Sequence, residues 1–158
     1  MKPDVDTVMQ GFLMTLLGDI APHLDAEYAV GNTGIMGMML LLAGEEYDRA
    51  ADIRAAENAE MRSLFGGAVS FVDDGRLKAR LNAAASGKDT SLRIKALDAT
   101  NASLLALLIE LHEYVEAVDT SSARRLEERI WDYLISSTER RKLTFPLLGG
   151  GNEIIPYP

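Results

Sequence analysis

Val30-Gly-Asn-Thr-Gly-Ile-Met-Gly-Met-Met-Leu-Leu-Leu-Ala43, followed by Gly44-Glu-Glu-Tyr-Asp-Arg-Ala-Ala-Asp-Ile-Arg54, is the stretch that decides the fold. It lies within Asp25 to Phe65, a segment that contains no proline. Asp25 is a favourable N-cap, and Glu27 falls in the first turn, where the helix dipole favours an acid. We predict one long helix that continues through Gly44, because neither a proline nor a turn signal follows it.

The two halves of this helix differ in polarity. The first half is apolar almost all round, so we expect it to lie inside a core. The second half is expected to expose a charged face to water; its acids, Glu57 among them, are interleaved with arginines. Gly31, Gly34 and Gly37 predict tight helix packing, with a glycine-lined wall against a ligand as the alternative. Gly66-Gly67 is expected to end the helix.

Apolar periodicity and breakers predict the remaining helices. We expect them at about 4–23, at 76–85, from a cap at Asp89, Thr90 or Ser91 to about 118, and at about 122–143. An Asp73-Asp74-Gly75 turn precedes the short one. A heptad seam runs along the third, through Leu97, Asn101, Leu104, Leu108, Leu111, Val115 and Val118. The sequence therefore predicts an all-α helical bundle of four main helices plus one short helix. Residues 1–144 would form a single domain, and 145–158 an extended apolar C-terminal tail.

Composition restricts the class of protein. The chain has 158 residues, a net charge of -8 and no cysteine. The negative charge argues against nucleic acid and anionic membrane surfaces, and the missing cysteines exclude disulfides and thiol catalysis. The N-terminus is acidic where a signal peptide would be basic, and the longest uncharged run is short for a spanning helix. We expect a cytoplasmic protein with no nucleic acid and no membrane partner.

Few residues could carry chemistry. His23 and His112 are the two histidines, and neither has an acid three residues before it, so the di-iron pattern of ferritin-like bundles is absent. A weaker metal site could use His112 and Glu116, which share a helix face, with Glu46. A hydrogen-bonded structural histidine is the favoured interpretation of His112. We predict no metal, no cofactor and no catalytic residue.

Two asparagines lie in apolar surroundings. Asn101 interrupts the heptad seam and Asn32 lies in the glycine-rich stretch. Each could fix helix register, or the amides could bind a polar group of a ligand. The functional alternative is an enzyme or binding protein that holds a small apolar ligand or a metal between helices. Its ligand-binding residues would be Asn32, Glu46, Asn101, His112 and Glu116.

The leading hypothesis is a non-enzymatic accessory or interaction protein that self-associates as a homodimer. A helix over residues 26–65 would be about 60 Å long at roughly 1.5 Å per residue. A compact chain of this size is only roughly 40 Å across. The far half of the helix would then need cover from another molecule. We expect the interface at the seam, at the second half of the long helix or at the tail, where Leu147, Leu148, Ile154, Ile155 and Tyr157 are too apolar for an unused end.

Overall fold

The computed structural model describes residues 4–143, and the predicted tail over 145–158 lies outside them. The described chain is helical throughout its regular structure and contains no strand. Its five α-helices are α1 (Val5–Met14), α2 (Glu27–Ala68), α3 (Gly75–Ala85), α4 (Ile94–Glu116) and α5 (Ser121–Arg141). The prediction of an all-α bundle with four main helices and one short one is confirmed.

The long helix is continuous. α2 has 42 residues and passes through Gly44 without a break, as predicted. It also passes through Gly66-Gly67, so the prediction that this pair ends the helix was wrong. Gly67 leaves room for a side chain from α5, because a Cβ there would lie 2.7 Å from Nη1 of Arg129. Ala68 is fully buried. The core therefore holds the last turn of the helix in spite of its glycines.

The first predicted helix changes type along its length. α1 is followed by a π-helical segment, Thr15–Ile20, and then by a 3-10 turn, Ala21–His23, which contains Pro22. The prediction of helix from about residue 4 to His23 therefore holds, with an α-helix over its first half only.

Of the N-caps predicted for α3 and α4, the structure confirms only that of α3. Asp74 caps α3 as expected, accepting a 2.6 Å hydrogen bond from the backbone N–H of Leu77. The cap predicted for α4 was wrong: its N-cap is Arg93, whose side chain makes no capping hydrogen bond. Asp89 instead accepts two hydrogen bonds, at 2.8 and 3.2 Å, from the guanidinium of Arg62 on α2. A charge-assisted, two-pronged pair of this kind outweighs an ordinary cap.

The chain divides into two compact units, and the long helix contributes to both. The second unit, Arg49–Arg141, contains a continuous apolar core. That core includes Met61, Phe65, Leu81, Leu104, Leu108, Leu111, Val115, Leu126 and Ile130. The α4 residues among them belong to the predicted seam, so its inward orientation is confirmed. The single domain over 1–144 stays a prediction.

The described part of the first unit is residues 4–48 with 142–143. Here α1 packs closely on the first half of α2 at two glycines one heptad apart. A Cβ on Gly44 would lie 3.6 Å from Cβ of Met9 and 3.7 Å from the Cα of Asp6. A Cβ on Gly37 would lie 2.7 Å from Cδ1 of Leu13. Gly31 and Gly34 have nothing within 4 Å of that position, so the expected tight packing involves Gly37 but neither of these two.

Among residues 4–143, no helix combines the length and the apolar character that a membrane crossing requires.

Candidate functional site

A buried carboxylate organises the polar interior of the second unit. Glu57 on α2 is fully buried, so its expected place on a solvated face was wrong. Arg141, the last residue of α5, donates to both of its oxygens, from Nε to Oε1 at 2.7 Å and from Nη2 to Oε2 at 2.5 Å. Ser137 donates to Oε1 at 2.8 Å. This two-pronged geometry compensates the charge that burial would otherwise penalise.

Asn101 extends this network across α4. Its side-chain amide donates to Oε2 of Glu57 at 3.1 Å and to Oδ1 of Asn58 at 3.0 Å. Asn58 in turn donates to Asp89 at 3.1 Å and to the backbone carbonyl of Leu97 at 3.4 Å. Both amide hydrogens of Asn101 are therefore used within the chain. The contacts favour the structural interpretation, in which Asn101 fixes the register of α4 on α2, and the ligand interpretation stays a prediction.

The network sets the ionisation of its two acids. Burial raises the pKa of Glu57, but hydrogen bonds from Arg141, Ser137 and Asn101 together outweigh it and lower the pKa below its usual value. The hydrogen bonds from Arg62 lower the pKa of Asp89 in the same way. Both carboxylates are thus held as anions, each with its own arginine. A group held so firmly in one protonation state is suited to stabilising a fold and unsuited to general acid–base catalysis near neutral pH.

A second polar cluster lies between α4 and α5. His112 and Glu116 share a face of α4, with Nε2 and Oε1 3.6 Å apart. Glu127 from α5 joins them, and one possible ligand atom from each residue lies within 4.8 Å of the others. The ring of Trp131 stands edge-on to that of His112, with centroids 5.6 Å apart. The acid beside His112 and Glu116 is therefore Glu127, where the sequence suggested Glu46.

The other two predicted ligand residues are both in the first unit. Asn32 and Glu46 are exposed on α2. A groove of about 280 Å³ also lies in this unit. It is lined by Asp6, Met9, Gln10, Leu40, Leu41, Gly44, Glu45 and Asp48. None of the five predicted ligand residues lines that groove, and the ligand-binding assignment stays a prediction.

The first unit carries an unusual amount of exposed apolar surface. Of the described residues 4–48, Leu13 is the only large apolar side chain that is buried. Eleven others are exposed, against five in the larger second unit. We call these eleven the apolar surface: Phe12, Met14, Leu17, Ile20, Tyr28, Val30, Ile35, Met36, Met38, Met39 and Tyr47. The expectation that the first half of the long helix lies inside a core is therefore wrong for a single chain.

Charge is distributed around this surface in a simple way. Residues 1–48 contain eight acidic residues and one basic residue, Lys2. None of them lies within 7–18 or 28–44, the two uncharged runs that form most of α1 and the first half of α2. Acidic residues therefore flank both uncharged runs, Asp6 and Asp19 the first and Glu27 and Glu45 the second. An uncharged centre surrounded by a polar rim is the usual composition of a protein interface.

Sequence reasoning missed several of these residues, although one signal was available. Glu57 continues the buried stripe of α2, since it lies four residues after Ile53 and four before Met61, and both are buried. Helical phase therefore places it in the core, and only its residue type suggested otherwise. Arg141 and Glu127 had no comparable signal, because their partners are distant in sequence.

Comparison of the chain with models of known families, with curated proteins and with solved structures found no match.

Proposed function

We propose that this protein is a non-enzymatic, cytoplasmic accessory protein that acts as a homodimer, and that its apolar surface is the dimer interface. The observation that supports this is the concentration of exposed apolar side chains in the first unit. The described part of this unit, residues 4–48 with 142–143, contains one large buried apolar side chain, Leu13, and small units that bury little apolar surface usually depend on association or cross-links. Two copies of the pair formed by α1 and the first half of α2 would form a four-helix arrangement, in which each pair covers the apolar side of the other.

Eleven large apolar side chains, each between 41% and 82% exposed, are more than the scattered single residues that a monomer normally exposes. Exposed apolar patches rimmed by polar residues are typical of protein interaction sites. Three α2 residues of the apolar surface, Tyr28, Ile35 and Met39, lie at helical spacing on the side of α2 opposite Gly37 and Gly44, where α1 packs, so α1 leaves them accessible to a second copy.

The interfaces first expected are less suitable. Six of the seven seam residues of α4 are buried within the chain, and so are Ile53, Met61, Leu64 and Phe65 in the second half of α2. The tail lies outside the described residues. The first half of α2 is therefore the part of the long helix that offers an interface. The net charge of -8 supports the further expectation that the partner is a second copy rather than nucleic acid.

Paired substitutions test this proposal by light scattering at micromolar concentration. Ile35→Asp with Met39→Asp places carboxylates in the proposed interface, where an unpaired charge is very costly to bury. We expect this variant to be a monomer of 17.2 kDa and the wild type to have twice that mass. Ile109→Asp is the matched control, since Ile109 is 61% exposed and Met39 is 64% exposed, but Ile109 lies in the second unit.

A truncation separates the second copy from another possible cover, the chain's own tail. Removing residues 149–158 should leave the dimer intact if a second copy covers the apolar surface. If the tail covers it, the full chain is a monomer and the truncated chain associates. That result, or a dimer unaffected by the two aspartates, would contradict the proposal.

A further inference from the structure

The cluster of His112, Glu116 and Glu127 has the composition of a metal site. It offers one imidazole nitrogen and two carboxylate groups, which are ligand types that zinc uses in proteins. His112 and Glu116 are four residues apart on α4, so they are held on one face of the helix, and Glu127 is supplied by α5. The three ligand atoms lie within 4.8 Å of one another.

The state of the histidine nitrogen points to a ligand rather than to an ordinary ion pair. Nε2 of His112 is buried and has no hydrogen-bond partner among the described residues. Its nearest acid, Oε1 of Glu116, is 3.6 Å away, which is too far for a hydrogen bond. A buried polar nitrogen without a partner is costly and uncommon in folded proteins. A cation that accepts its lone pair would remove that cost.

The spacing suits a shared ion. Two ligands of a tetrahedral zinc lie roughly 3.3–3.6 Å apart, given bonds of about 2.0–2.2 Å. The 3.6 Å separation of Nε2 and Oε1 falls within this range. Glu116 is exposed and Glu127 half-buried, so both carboxylates can adjust, and an ion can reach them from water. The positive ion would also offset the repulsion between the two carboxylates.

We propose that His112, Glu116 and Glu127 bind a divalent transition-metal ion, with Zn²⁺ as the reference ion and water completing its coordination. Three protein ligands leave a position open, as zinc sites with exchangeable water do. The proposal goes beyond the self-association proposed above and is independent of it, because its residues all belong to the second unit.

Trp131 provides a direct readout. It is the only tryptophan of the chain, and its ring lies beside that of His112. Ni²⁺ bound at His112 should therefore quench its fluorescence, and Zn²⁺ should reverse the quenching by competition. We expect saturable quenching with one ion per chain in the full-length protein without an affinity tag. Zn²⁺ should also raise the melting temperature, since an ion that binds only the folded state stabilises it.

Variants locate the site. His112→Gln and Glu127→Gln should each weaken Ni²⁺ binding by more than roughly tenfold. Substituting a residue that only hydrogen-bonds a metal ligand already weakens metal binding by at least about tenfold. His23→Gln is the matched control: it removes the other imidazole, which is exposed and bonded to the Asp19 carbonyl, and should leave binding unchanged. Circular dichroism verifies that each variant is folded. Absent or unsaturable quenching in the wild type, or equal affinity in a folded His112→Gln protein, would overturn the proposal.

Discussion

Replacing Arg141 by methionine tests whether the buried Glu57 depends on its exposed partner. Arg141 is 47% exposed along its side chain, whereas Glu57 is 1% exposed. Losing the arginine leaves a buried carboxylate with hydrogen bonds from Ser137 and Asn101 alone. Breaking a buried pair in this way costs about 3–5 kcal/mol. Because Arg141 borders water, we expect a smaller loss than for a fully buried pair, about 2 kcal/mol for Arg141→Met at neutral pH.

The pH dependence identifies the cause. The folded-state pKa of Glu57 is lowered, so its contribution to stability is present above the unfolded value of 4.5 and is lost as pH falls through the folded pKa. Without Arg141, burial dominates and the folded pKa rises, so the ionised carboxylate becomes a penalty at neutral pH. The difference between wild type and Arg141→Met should therefore be largest at neutral pH and should shrink toward about pH 4.

Urea unfolding followed by circular dichroism at the two pH values measures this difference. Glu57→Gln is the informative companion, because it removes the buried charge and lets Arg141 turn to water. We expect it to cost less than Arg141→Met, about 1 kcal/mol, and the double variant to cost less than the sum of both. A loss below about 0.5 kcal/mol for Arg141→Met, typical of a surface substitution, would refute the reasoning. So would a loss that does not change with pH.

Three further expectations concern the same interior and the first unit. Asn101→Leu removes the amide that donates to Glu57 and Asn58, so urea unfolding should show a loss of about 1–3 kcal/mol; a gain in stability would contradict the role given to that amide. Gly44→Ala should raise the melting temperature, because its Cβ would lie at an ordinary contact distance of 3.6 Å from Met9 and alanine favours a helix over glycine by up to about 1 kcal/mol. Gly44→Leu should lower the melting temperature, because α1 leaves no room for the larger side chain. Equal melting temperatures for the two variants would show that α1 does not pack there. On acidification, the stability supplied by Glu57 and Asp89 should be lost as pH falls through their lowered pKa values, and Asp89→Asn should flatten the curve of stability against pH between about 4 and the acid limit.

The sequence predicts those features that depend on local periodicity. The seam of α4 repeats every seven residues, so the buried side of this helix can be predicted from the sequence. The N-cap at Asp74 can be predicted in the same way, because it belongs to a local turn. The continuity of α2 through Gly44 is similar, because nothing nearby breaks the helix.

Features that depend on distant partners were mispredicted or missed. Asp89 has the composition of a helix cap, yet Arg62 binds it from another helix. Glu57 has the composition of a surface residue, yet Arg141 compensates its charge from 84 residues away. Glu127 could not be matched to His112 before the packing of α4 on α5 was known. Nor can apolar periodicity distinguish burial by the same chain from burial by a second one, and the first half of α2 illustrates this.

Sedimentation equilibrium of the full-length chain tests the central claim, that the apolar surface is an interface between two copies. We predict twice the 17.2 kDa chain mass at micromolar concentration. Added sodium chloride should strengthen the association, because the acidic ends of the two first units repel each other and salt screens that repulsion. A chain that sediments as a monomer at every concentration and salt level would contradict the account.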